Sequence, residues 1–432
     1  MALRRVSFAV IPAVATLLTL SACSSDNSDS GSGEPSLPSQ SYSAPDSNTA
    51  RGTQDEPIPS QIPEGLHVGE IAPIGAEEMV MQSGSFGQLE VPVEVYDPAT
   101  GKKTAHIVVG QGIWDPVIHA FVGKTPHDPA VLAAEVWRPR GSRGAAQFTV
   151  STYSGNLLTP KEVALPSVAR AHSRTGSHAV TSDGRYFVTW DDALFGIRVV
   201  DLHSGKQSGT LKLPACGPFT WLVGHDLYSV CEQDRKLLQV HIGDDGVPKE
   251  VGRQKVLPAD FVSARESTFA ADAKKALLVG ANGDVYVFDF SHGLPTTEVR
   301  PIGNAGDPSG RFDTSAISRD GSRIAISYTD TPIHPQSVRG GDVTKVVLFD
   351  AANLHPIKTI TLDQAGLKSF GGFAFNENGK KLYLLGGGPE ADGETPQKLV
   401  GFSSTDGAQT SSVTLDGKPD KLKGLFAPEI IG

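Results

Sequence analysis

A strand-and-turn unit recurs seven times along this chain, and a repeat of that length admits few folds. An apolar, β-prone run closing in a polar turn is read at Val95–Gly101, Val150–Gly155, Val199–Gly205, Val240–Gly246, Val287–Gly293, Leu348–Asn353 and Gly401–Gly407. The turn positions 97, 152, 201, 243, 289, 350 and 403 follow one another at intervals of 42 to 61 residues. Each interval has room for about four strands of roughly five or six residues with their turns. A second signal recurs between them, a polar turn feeding an apolar strand, at Ser182–Trp190, Arg319–Tyr328 and Asn376–Leu385. Repeating four-stranded units are what radial closure requires, and closure removes most exposed sheet edges. The chain is therefore expected to be all-β, a seven-bladed β-propeller. A pair of β-sandwiches would also give short strands, but has no reason to repeat one turn seven times.

Composition agrees with strands and tight turns. The 432 residues include 47 glycines and 30 prolines, and 39% hydrophobic residues give ample material for a core. The formal charge is −10, from 38 basic against 48 acidic residues, with no Lys/Arg cluster beyond the extreme N-terminus. Nucleic acid is thus not an expected partner, because neutralising phosphates takes a basic face.

The first residues read as an export signal. Arg4 and Arg5 precede an apolar run from Phe8 to Leu20, too short for a comfortable membrane span, and Leu20-Ser-Ala-Cys23 follows. That ending resembles the bacterial lipobox, whose cysteine becomes the lipidated first residue of the mature protein. The expected organisation is a lipoprotein signal peptide over 1–22, a flexible Ser/Pro/Gly-rich tether over 23–64 and the propeller over 65–432. Cys23 is then the lipid anchor, placing the protein outside the cytoplasm on the membrane or cell envelope. Cys216 and Cys231 remain as an even pair in an oxidising compartment.

The segment between those two cysteines reads as a hairpin. A Val223-Gly-His-Asp226 turn lies between two apolar runs, so the antiparallel pair brings Cys216 and Cys231 to disulfide distance.

Other motifs carry less. Val122-Gly-Lys-Thr125 lacks the upstream glycine of a phosphate loop, since Ile118 stands there, and Pro126 follows it. Gly386-Gly-Gly-Pro389 is expected to be a flexible interstrand loop. His119, His127, His172 and His178 are expected in solvated loops, without the spacing of a metal site; ligands gathered from several blades would not show in sequence. Trp137, Trp190 and Trp221 are expected to pack between blades. Gly110-Gln-Gly112-Ile-Trp114-Asp115-Pro116 reads as a loop, and its tryptophan is a candidate contact residue.

Taken in order, Thr181–Thr189, Val199–Lys206, Leu213–Cys216, Cys231, Gly243–Pro248 and Gly283–Ser291 resemble one family. It is the heavy subunit of the quinoprotein amine dehydrogenases that act on methylamine and aromatic amines. The resemblance extends more weakly over Glu90 to Gly388. It implies a seven-bladed propeller outside the cytoplasmic membrane, without a cofactor of its own. A small, cysteine-rich light subunit would carry the tryptophan-derived quinone, and the heavy chain would scaffold it and shape the substrate entrance. Two features depart from that pattern. Aligned through Asp115-Pro116-Val117, the position of the entrance aromatic is Gly112 here, so only Trp114 stands near enough to replace it, and this chain carries a lipid-anchor sequence. Two functions are therefore carried forward: a scaffold for oxidative deamination of primary amines, and a lipid-anchored propeller that binds a protein or small ligand without chemistry. A lactonase-like hydrolase with a channel metal is a third possibility.

Overall fold

A computed structural model describes residues 69–83, 90–110, 117–138, 140, 143–166, 169, 171, 176–303, 310–331, 342–389, 395–417 and 422–430. The expected signal peptide, Cys23 and the whole of the tether lie outside these residues, as do Gly112, Trp114, Asp115 and His172.

The described residues form seven four-stranded antiparallel sheets, and the protein is a seven-bladed β-propeller. Blade 1 holds β1 (Met79–Ser83), β2 (Glu90–Tyr96) and β3 (Lys103–Gly110). Blade 2 holds β4 (Val117–Ala120), β5 (Val131–Trp137), β6 (Gln147–Tyr153) and β7 (Lys161–Leu165). Blade 3 holds β8 (His178–Val180), β9 (Tyr186–Asp191), β10 (Gly196–Asp201) and β11 (Lys206–Lys212). Blade 4 holds β12 (Trp221–Val223), β13 (Asp226–Cys231), β14 (Lys236–Ile242) and β15 (Pro248–Lys255). Blade 5 holds β16 (Ala264–Ala270), β17 (Lys275–Gly280), β18 (Val285–Asp289) and β19 (Pro301–Ile302). Blade 6 holds β20 (Arg311–Ile317), β21 (Arg323–Thr329), β22 (Val343–Asp350) and β23 (Pro356–Thr361). Blade 7 holds β24 (Gly372–Phe375), β25 (Lys381–Gly387), β26 (Gln397–Ser403) and β27 (Gln409–Thr414). The last strand, β28 (Leu422–Phe426), pairs with β1 and becomes the inner strand of blade 1, which closes the ring.

First strands of successive blades touch one another and line the axis, whereas fourth strands such as β11 and β27 are largely exposed. Seven hydrophobic clusters fill the seven interblade spaces. Trp221, Phe288 and Phe290 pack between blades 4 and 5, for example, and Val93, Ile107 and Ala133 between blades 1 and 2. A middle strand is covered on both faces by its neighbours, so β9 and β10 are buried along their whole length. Outer strand β3 instead alternates, with Ala105, Ile107 and Val109 inward and Thr104, His106 and Val108 outward.

All seven repeated turns fall where the third strand of a blade passes to the fourth. In three of the Asp-containing copies the carbonyl at the anchor accepts the N–H four residues on, from Gly101 to Asp97 at 2.8 Å, Gly205 to Asp201 at 3.0 Å and Leu354 to Asp350 at 2.8 Å, whereas in the Asp289 copy Gly293 N donates to Phe290 O at 3.0 Å. The Asp side chain also accepts the N–H two residues on, from Ala99 at 2.8 Å and His203 at 2.9 Å. The fourth position after the anchor needs a left-handed backbone, supplied by Gly101 and Gly205 and, in blade 6, by Leu354. The second repeated signal feeds the second strand of blades 3, 6 and 7, with matching hydrogen bonds from Tyr186 N to Thr181 Oγ1, Arg323 N to Ser318 Oγ and Lys381 N to Asn376 Oδ1, each 2.9 Å.

Two expectations are corrected. Gly386 and Gly387 are not loop residues but end strand β25 and are buried, because a Cβ at Gly386 would fall on the Ser369 carbonyl oxygen. His119 is not solvated; it belongs to β4 with 8% exposure, and His178 belongs to β8, half-buried. Trp190 and Trp221 are buried as expected.

Candidate functional site

In an antiparallel blade the turns joining strands one to two and three to four lie at one end, and the remaining connections at the other. Residues 69–74 enter along the first end: Ile71 N donates to Gly155 O at 2.9 Å and Gly123 N to Ile74 O at 3.0 Å. We call this the tether end. The opposite, loop end carries the end of β3 at Gly110, the start of β4 at Val117, Phe195 and Cys216.

The feet of the 111–116 connection are fixed from below. Glu135, 2% exposed in β5, accepts the Gly110 N–H at 2.5 Å and the Tyr153 hydroxyl at 3.2 Å. A Cβ at Gly110 would meet the Trp137 ring at 2.8 Å, so the strand passes directly over that indole. Val117, the first residue after the connection, is 1% exposed in β4. Burial and the nearby Glu135 carboxyl push the Tyr153 phenol up, which keeps it a donor. Nothing in the sequence marked Glu135. An acidic residue within the apolar Val131–Val136 run was the available signal, since a buried carboxyl needs partners.

At the same end Phe195 is 66% exposed with a left-handed backbone, φ 50°. It closes the turn between β9 and β10, and its carbonyl accepts the Leu213 N–H at 2.8 Å.

The disulfide Cys216–Cys231 is formed, over a separation of 15 residues. The hairpin turn is the expected one, with Val223 opposite Asp226 and Gly224 at φ 63°. Cys231 ends β13, but Cys216 lies in the turn before β12, outside the ladder. The link to the hairpin is made by Gly217, whose N–H donates to Val230 O at 2.6 Å.

The tether end holds a belt of polar contacts around the axis. Arg319 of blade 6 reaches Asp272 of blade 5 at 2.5 Å and Glu377 of blade 7 at 3.0 Å. Asn376 and Asn378 of blade 7 donate to Glu77, before β1, at 3.2 and 2.9 Å. His119 Nδ1 lies 3.4 Å from Glu429 Oε1, its ring edge-on to His178 at 4.7 Å, and its Nε2 has no hydrogen-bond partner among the described residues. The Glu429 side chain is 55% exposed, and the attraction of His119 and then of Arg319 holds its carboxyl below the ordinary range. Blades 3 and 4 are joined by Asp183 and His225 at 3.1 Å. Among the described residues, no three His, Cys, Asp or Glu side chains are placed to hold a metal ion.

No family model matches the chain, and no curated protein sequence does. Its fold is similar to that of a protein from Lactobacillus plantarum, at 12% identity and a TM-score of 0.52 over 81% of this chain and 98% of that one. It is also similar to a 6-phosphogluconolactonase-like protein of Bacteroides uniformis, at 15% identity and a TM-score of 0.51 over 81% of this chain and 99% of that one. Both likenesses concern the fold alone.

Proposed function

We propose that the protein is an exported, lipid-anchored propeller that works as a binding scaffold and meets its partner with the loop end. The observation that carries this reading is the clamp of Glu135 on Gly110, which with buried Val117 fixes both feet of the connection bearing Gly112, Trp114 and Asp115. A contact loop with fixed feet loses less freedom on binding. Exposed Phe195 adds a large apolar side chain at the same end, and residues 69–74 lie along the other. In this reading the disulfide is structural and belongs to an oxidising compartment. The test is capture from the protein's own membranes: Trp114→Ala and Phe195→Asp should each abolish recovery of a partner without lowering the unfolding temperature. A partner retained by both variants would refute the assignment of the face.

A second reading identifies that partner as a small quinone-bearing light subunit, the two together oxidising primary amines and passing electrons on. It is supported by the text around Cys216 and Cys231, which carries the resemblance to amine dehydrogenase heavy subunits. The quinone would belong to the light subunit, and this chain would supply docking and the edge of the substrate entrance. Native material with a cysteine-rich partner, quinone absorbance and amine-dependent dye reduction would support it; a partner lacking all three would exclude it.

A further inference from the structure

The segment after β28 is bonded to both sides of the ring. Glu429 N donates to Ala120 O at 2.7 Å and Val122 N to Glu429 O at 2.9 Å, a parallel bridge with Phe121 at the inner edge of blade 2. One residue on, Arg319 of blade 6 donates through Nη2 to the Ile430 carbonyl at 3.2 Å. Blades 2 and 6 stand three steps apart in a ring of seven, nearly opposite, so a segment attached to both crosses the axis. Arg319 is itself held, by Asp272 on one side and Glu377 on the other. Buried His119 stands one residue further into the propeller than Ala120 and faces the Glu429 carboxyl.

We propose that Ala427–Ile430 is a strap across the tether end of the axial channel, with Arg319 as its catch. A solute is then barred from the channel at the tether end. β28 already closes the ring by pairing with β1, so the strap's bonds to blades 2 and 6 serve a separate purpose. Its geometry does not depend on which partner the loop end binds.

The experiment is thiol accessibility in the full chain carrying His119→Cys, with a small maleimide as probe. Modification is expected to be slow. Adding Arg319→Ala should speed it by about tenfold or more, the factor a hydrogen bond from a charged donor is worth. Asp183→Ala, which breaks the contact to His225 at the same end and touches neither Arg319 nor Ile430, should not. Rapid modification with Arg319 present, or no change in Arg319→Ala, would overturn the proposal. Hydrogen exchange needs no cysteine. In the otherwise unaltered chain Arg319→Ala should speed exchange of the Glu429 and Val122 amides while those of β13 stay unchanged. Glu429 and Val122 amides exchanging at unprotected rates before any substitution would contradict the strap.

Discussion

Glu135 reaches across the interface between blades 1 and 2 to accept the Gly110 N–H at 2.5 Å, and so ties the last residue of β3 to the strand beside it. Glu135→Ala would leave that N–H and the Tyr153 hydroxyl buried without an acceptor, a loss of about 1–3 kcal/mol. Urea unfolding should show it. Glu135→Gln, whose amide oxygen can still accept, should recover most of the loss. Equal stability in Glu135→Ala would mean that the clamp holds nothing.

The disulfide closes a loop over a sequence separation of 15 and should contribute on the order of 3 kcal/mol in the chain-entropy view. The double variant Cys216→Ser/Cys231→Ser should unfold at correspondingly lower urea concentration. Mass spectrometry of exported protein should find both thiols oxidised; free thiols would contradict the pairing.

Glu94 predicts an acid limb. Burial raises its carboxyl, but hydrogen bonds from His106, Lys103 and Tyr96 outweigh that and hold it down at about 2. A depressed carboxyl stabilises the fold above its unfolded value, about 4.3, and that stability is lost as pH falls toward the folded value. The upper size is about 3 kcal/mol, before solvent screening reduces it. Glu94→Gln should lower stability at neutral pH and flatten its decline between about pH 5 and pH 2. A variant with the parent's acid limb would show that Glu94 is not its source.

Two repeat-turn glycines separate backbone cost from crowding. Gly101 and Gly293 are both left-handed, at φ 76° and 82°, so alanine costs about 1–2 kcal/mol at either. A Cβ at Gly101 would also fall on the Thr414 carbonyl oxygen of blade 7, whereas nothing lies within 4 Å at Gly293. Gly101→Ala should therefore cost a further 1–3 kcal/mol or so by overpacking. Thermal unfolding of the two variants side by side measures the difference, and equal losses would contradict it.

The blades were legible because local rules set them. The anchors at 97, 201, 289 and 350 carry an Asp whose side chain caps its own turn, a chemistry visible in four residues. The Val223–Asp226 hairpin was legible for the same reason. What stayed hidden depends on partners distant in sequence. Nothing local says that Leu422–Phe426 will pair with Met79–Ser83, or that Arg319 will reach Ile430. His119 read as a loop residue because its strand is only four residues long and ends at Ala120. Gly386 and Gly387 read as a loop because glycine signals turns, whereas here its lack of a side chain admits the Ser369 carbonyl. The candidate contact residues Gly112, Trp114 and Asp115 remain known from sequence, and the structure adds the two feet on which they stand.

The most direct test of the scaffold reading is capture of a partner through position 114. A photo-crosslinking residue placed at Trp114 in the full chain, expressed in its own cells, should join one protein in stoichiometric yield. That product should be lost with Phe195→Asp and kept with Asp272→Ala at the opposite end. A chain that crosslinks to nothing, or equally well in all three forms, would contradict the claim that the loop end is the binding face.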